Sequence, residues 1–143
     1  MQTYFESNFV RIDADAKLSV LVLHWKPGRV SPHIYQQALL EGLRWVQELD
    51  LQFWVSNQRH MESFSLWMEA WTLDTWYDRL THTSIIGMLL VESDDEFNRQ
   101  ITHHIWDRPE ARKLPLVRID SAYEALEWIA YRAPSMVPDL RGF

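Results

Sequence analysis

The chain has 143 residues, a formal net charge of −6 and no cysteine. Its length fits one domain, residues 1–143, able to bury roughly 68–70% of the unfolded chain's surface without a staple. Missing thiols exclude a disulfide framework and a cysteine-ligated metal centre, and the acidic balance argues against a general nucleic-acid binder, which needs clustered cations.

The opening residues, MQTYFESNFVRID, carry no basic segment followed by an apolar one, so no signal peptide is expected. The longest apolar runs, LSVLVLHW and IIGMLLV, fall far short of the roughly 20 residues of a membrane helix. No membrane insertion and a cytoplasmic location are the expectation. The unusual feature is eight tryptophans, with aromatic residues at 13%; so many indoles are hard to hide in one small core.

In chain order, Phe9 to Ile12 and Leu18 to Trp25 read as strands joined by the turn-forming tract DADAK, hence an antiparallel hairpin. Ser31 and Pro32 open a helix as cap and first-turn residue. Its wheel carries a wide apolar face from Ile34 to Leu49, opposite a polar stripe in which Glu41, Arg44 and Glu48 are spaced for ion pairs. Leu51 to Asn57 is the third strand, parallel to the second through a right-handed crossover.

A polar loop, Asn57-Gln58-Arg59-His60, leads to a helix from about Ser65 to Leu80. Leu66, Ala70, Leu73, Tyr77 and Leu80 recur at helical spacing and predict the core contact. Trp67 and Trp71 lie roughly 100–140° from that stripe, towards Asp74 and Asp78. SIIGMLLV, residues 84–91, is a continuous run suited to a central parallel strand. Ser93 with Glu96, and Ser121 with Glu124, form capping-box patterns before two further helices; Phe97, Ile101 and Ile105 mark the inner side of the first. Leu116 to Ile119 is the last strand. The order β-β-α-β-α-β-α-β-α predicts one α/β domain built on a mixed sheet of about five strands.

Tyr4-Phe5-Glu6 near the start, Trp25 ending a strand, the Trp54 to Arg59 spacing and the helix SAYEALEWI together carry a likeness. On these features the chain resembles the STAS-type, SpoIIAA-like fold of anti-sigma-factor antagonists and of the cytoplasmic tails of sulfate transporters. It looks closest to small uncharacterised bacterial proteins of that class. The resemblance implies an interaction or regulatory role, and sets Ser63 at the position phosphorylated by a partner kinase in the antagonists. Here Glu62 replaces the aspartate, and Phe64 and Ser65 replace small residues. Ser63 or Ser65 equally suits a plain helix cap.

Strand C-termini share one edge in a parallel sheet, and ligands usually sit there. That edge should collect His24, Asn57, Arg59, His60, Glu92, Ser93 and Asp120. Metal binding lacks a ligand set, since His103 and His104 are adjacent on a helix and point to different sides. With four glycines there is no phosphate-cradling loop, and G-x-S-x-G is missing. No catalytic residue, cofactor or metal is assigned.

Three functions remain open. One is a non-enzymatic module that forms a homodimer, or meets another protein, through Trp67 and Trp71. A second is a carrier of a small apolar ligand among Trp67, Trp71 and Trp76. The third is an enzyme using Arg59 and His60 at the strand edge, where Asn57, Arg59 and His60 are also candidates for binding a polar ligand or a partner.

Overall fold

The alternating and continuous apolar runs pair into a six-stranded mixed sheet and a two-stranded ribbon. The strands are β1 (Gln2–Glu6), β2 (Val10–Asp15), β3 (Val20–Trp25), β4 (Gly28–Arg29), β5 (Phe53–Asn57), β6 (Met61–Ser63), β7 (Gly87–Val91) and β8 (Leu116–Ile119). The helices are α1 (Pro32–Leu49), α2 (Trp67–Trp71), α3 (Asp78–Leu80), α4 (Glu96–Trp106) and α5 (Ala122–Arg132), with a π turn over Thr72–Tyr77 and a 3-10 turn over Pro109–Ala111. This computed structural model describes residues 1–63 and 67–132, and only the backbone of Ser63, Trp67 and Arg132. The predicted helix residues Ser65 and Leu66 and the side chains of Ser63 and Trp67 therefore lie outside the described residues.

The sheet order is β1-β2-β3-β5-β7-β8. β1, β2 and β3 form an antiparallel meander, and β3, β5, β7 and β8 run parallel. The α/β class and mixed sheet match the sequence reading, but the expectation of about five strands needs correcting. β1 is a sixth strand, and β4 pairs with β6 in a separate ribbon. Residues 2–6 lack an apolar run because β1 is an edge strand, where only Tyr4 and Phe5 are partly buried against the core.

Each parallel strand lies one step further along the sheet, so the right-handed crossovers stack on one face. Accordingly α1, α2, the π turn, α3 and α4 share one core with Leu21, Leu23, Trp54 and Met88. α5 covers the other face, where Ala125 and Ile129 meet Val20, Val22, Phe53 and Val55. Ser31 caps α1 by accepting from Ile34 N–H, with Pro32 at the first position. α1 ends at Asp50, whose left-handed φ of 50° turns the chain so that the next N–H, of Leu51, also reaches the Val46 carbonyl at 3.2 Å.

The long tryptophan helix departs from the predicted wheel. Leu73, Tyr77 and Leu80 are buried, but Ala70 is exposed, while Met68, Glu69, Thr72 and Trp76 turn inward. The π turn is the physical reason. A wider turn holds more residues than a regular one, and it admits the 68–72–76 row to the core beside the 73–77–80 row. Buried Glu69 is held by Arg108 Nη1 at 2.8 Å and His104 Nδ1 at 3.0 Å, tying α2 to α4 and the loop beyond it. α4 also differs. Its cap is Asp95, which accepts from Asn98 N–H, because Ser93 instead donates to the Met61 carbonyl. Phe97 is 57% exposed, leaving Ile101 and Ile105 as the inner row.

α1 approaches the sheet over Trp54, which is fully buried. A Cβ built on Gly42 would lie 2.3 Å from Trp54 Cη2. Alanine for glycine inside a helix ordinarily stabilises by about 1 kcal/mol, whereas overpacking a core costs about 1–3 kcal/mol. At this contact the clash dominates. Gly42→Ala is expected to lower the urea unfolding midpoint, against its helix propensity; a higher midpoint would show that Trp54 has room to move.

Candidate functional site

The C-terminal ends of β3, β5, β7 and β8 share one edge, as the parallel pairing requires. Side chains alternate between faces along a strand, and this divides the residues expected to gather there. His24 and Asn57 are register partners next to Val22 and Val55, on the α5 side. Glu92 and Asp120 have the parity of Leu90 and Arg118, on the opposite side.

On the α5 side, the Asn57 amide lies 3.0 Å from His24 Nδ1, and His24 Nε2 lies 3.5 Å from Asp13 Oδ2. In the neutral ring Nδ1 accepts from the Asn57 amide and Nε2–H faces the carboxylate. Asp13, 8% exposed, also accepts from Thr3 Oγ1 at 2.7 Å and Arg11 Nε at 3.1 Å. Burial, then the nearby Arg11 charge, hold the His24 pKa below its usual value, and Asp13 offsets this in part. The ring is a neutral bridge between β2, β3 and β5.

On the opposite side an open groove of about 290 Å³ is lined by Arg59, Glu92, His103, Arg118, Ile119 and Asp120. Glu92 Oε1 is 2.6 Å from His103 Nε2 and 3.1 Å from Arg118 Nε. Arg118 Nη2 also reaches Asp107 at 3.4 Å. Arg59 donates to the Asp120 carbonyl, faces Asp94 at 3.8 Å, and its own N–H meets Asn57 Oδ1 at 3.3 Å. Thus β5's loop, β7's end, β8's end and α4 are joined by charge. Exposed pairs of this kind contribute about 0–1 kcal/mol each; their effect is to fix loop positions.

Sequence reasoning placed Arg59, Glu92 and Asp120 at this edge but missed His103 and Arg118. The signal for Arg118 was its two-residue spacing from Leu116. For His103 it was its place one residue after buried Thr102, on the rim of α4. His103 and His104 do diverge, one to Glu92 and the other to Glu69. His60 is exposed, and no hydrogen bond joins it to Arg59 among the described residues. Ser93 is buried between Met61 O and Asp95 N–H, a structural brace. No group of three or more ligating side chains is disposed to hold a metal ion among the described residues.

The aromatic residues expected to meet a ligand or partner take different places. Trp76, 2% exposed, stands edge-on to Trp54 at 4.9 Å and to Trp106 at 6.5 Å. Trp71 is half-buried, edge-on to Tyr35 at 6.1 Å, with exposed Ala70 and Asp74 near it in sequence. Tyr35 stacks on Trp25 at 5.6 Å, and burial pushes its hydroxyl's pKa far up, so it stays protonated.

Comparison of the chain with protein-family models, with curated proteins and with solved structures finds no match. Among the described residues, no helix is long and apolar enough to cross a membrane.

The His24 bridge makes a signed prediction. As pH falls through about 6.5, the unfolded chain takes up the proton while the native ring resists it. Stability should therefore fall from about pH 6.5 down to the native pKa, then level off. His24→Gln should remove that part of the slope. Urea midpoints of both proteins between pH 7.5 and 5 measure it, and parallel curves would refute the assignment.

Proposed function

We propose that this chain is a non-enzymatic interaction or regulatory module of STAS-like kind, acting in the cytoplasm and self-associating through the aromatic side of α2. The observation that carries the reading is Trp71. An indole is costly to leave in water, yet this one is only half-covered, by Tyr35 of α1, whereas Trp76 in the following turn is buried. A partly covered indole followed in sequence by exposed Asp74 and Asp78 has the make-up of an interface anchor, where aromatic residues dominate the binding energy.

The groove agrees with a binding role rather than a chemical one. Its Glu92 carboxylate already meets Arg118 and His103, and Arg59 is engaged by the Asp120 backbone carbonyl and by Asp94. Glu92 would have to leave those pairs to act as a base. Ser63, at the end of β6, is the phosphoacceptor position in this reading, and a negative charge there would alter what the module meets.

Sedimentation equilibrium or light scattering over a concentration series tests self-association. A dimer is expected, and Trp71→Ala should raise its dissociation constant at least tenfold, since anchor residues are worth about 2 kcal/mol or more. The circular dichroism spectrum of the variant should stay native. A protein that remains monomeric at high concentration would remove the self-association claim.

A further inference from the structure

α5 turns one row of residues towards the end of β8. Glu124, Glu127, Trp128 and Tyr131 follow one another at helical spacings of three, one and three, so they share a face. With Ile119 of β8 they line an open cleft of about 360 Å³, inside the range of about 300–1,000 Å³ usual for small-molecule sites.

The wall residues are not used up by the fold. The Trp128 ring meets Phe53 edge-on at 6.5 Å and is only half-buried. Tyr131 is 81% exposed, and that much ring is costly to leave in water. Glu124 stands in the first turn of α5, where the helix dipole favours a carboxylate, and its N–H is taken by Ser121 Oγ. Glu127 lies beyond that turn. It accepts from the neutral Tyr123 hydroxyl, which leaves its charge in place. Among the described residues neither carboxylate has an ion pair, and no cation lines the cleft. A solvated helix face accounts for the two glutamates but not for the two rings beside them.

The charge that complements this lining is positive, and the walls select its kind. A metal ion takes several oxygen ligands, and no group of three or more ligating side chains is so disposed among the described residues. A small hydrated cation would lose water against the carbon of Ile119, Trp128 and Tyr131 without hydrogen bonds to replace it. An alkylated ammonium spreads its charge over methyl groups, asks for no hydrogen bond and is attracted by aromatic faces. The geometry points to this cleft as a binding site for a small quaternary-ammonium compound, its methyl-clad head against Trp128 and Tyr131 and its charge met by Glu124 and Glu127. α5 and α2 cover opposite faces of the sheet, so the site stands whether or not the protein dimerises.

The test titrates the full chain, its eight indoles labelled with nitrogen-15, with choline chloride replacing sodium chloride at constant ionic strength. A saturable shift of the Trp128 indole resonance is expected. The uncharged isostere of choline, with tert-butyl in place of trimethylammonium, should leave that resonance where it is at the same concentration. Tyr131→Ala and Glu127→Gln should each raise the choline midpoint about threefold or more, whereas Tyr131→Phe, which keeps the ring, should not. An equal response to the isostere would make the cleft a plain apolar groove and overturn the proposal. No saturable response to choline would make it a solvated helix face and overturn it equally. A choline midpoint lowered at least tenfold by Arg132→Gln or Arg141→Gln would assign the cleft to the chain's own cation, and that too would overturn it.

Discussion

The placement of one ring, Trp54, governs the architecture. It projects from the middle of the sheet, fully buried, with α1 against one side and Trp76 edge-on at 4.9 Å on the other. α1 can come that close only because residue 42 has no side chain; the position of an added methyl is already occupied by the indole. The approach of α1 in turn sets where Tyr35 stands. From there Tyr35 stacks on Trp25, bonds Thr72 and covers one edge of Trp71. Interiors are packed to near crystal density, and broad rigid rings tile less readily than aliphatic chains. The small void among the rings is the residue of that misfit, and the π turn is the local backbone adjustment that keeps it small.

Much of the fold was legible because apolar runs and cap residues act locally. The runs at residues 18–25 and 84–91 became β3 and β7, and Ser31 and Ser121 accept from the N–H groups expected of them. What was not legible depends on distant partners. β1 has no periodic signal of its own and exists by pairing with β2. Ser93 looked like a cap, but the Met61 carbonyl, 32 residues away, claims its hydroxyl and leaves the cap to Asp95. The tryptophan helix misled for a different reason. A wheel drawn at one constant pitch cannot show a change to π geometry midway, so Ala70 was assigned inward and Thr72 was not.

The site was legible as an edge but not as a geometry. Strand direction alone brings His24, Asn57, Arg59, Glu92 and Asp120 to one end of the sheet. Strand parity then parts them, because a one-residue difference sends neighbours to opposite faces. His24 and Asn57 became a neutral bridge beneath the α5 face, while Arg59, Glu92 and Asp120 joined Arg118 and His103 around the groove. Parity relative to the apolar residues of each strand was available in the sequence. The register between strands, which decides whose parity matches whose, was not.

The charged groove at the strand ends and the small cavity among the rings lie back to back, and two pairs of consecutive residues join them. Gln58 lines the cavity and Arg59 the groove; Thr102 lines the cavity and His103 the groove. Thr102 lies 3.2 Å from Gln58 Oε1, and the Gln58 N–H is fixed on the Val91 carbonyl next to Glu92. Any widening of the cavity would press on α4 and on the loop after β5. In a close-packed interior such pressure moves whole elements rather than single atoms. His103 and Arg59 would then shift against Glu92 and Asp94, whose exposed contacts are worth little individually and would yield before the core does. The charged rim is therefore the element through which a shift in the interior packing would reach the surface.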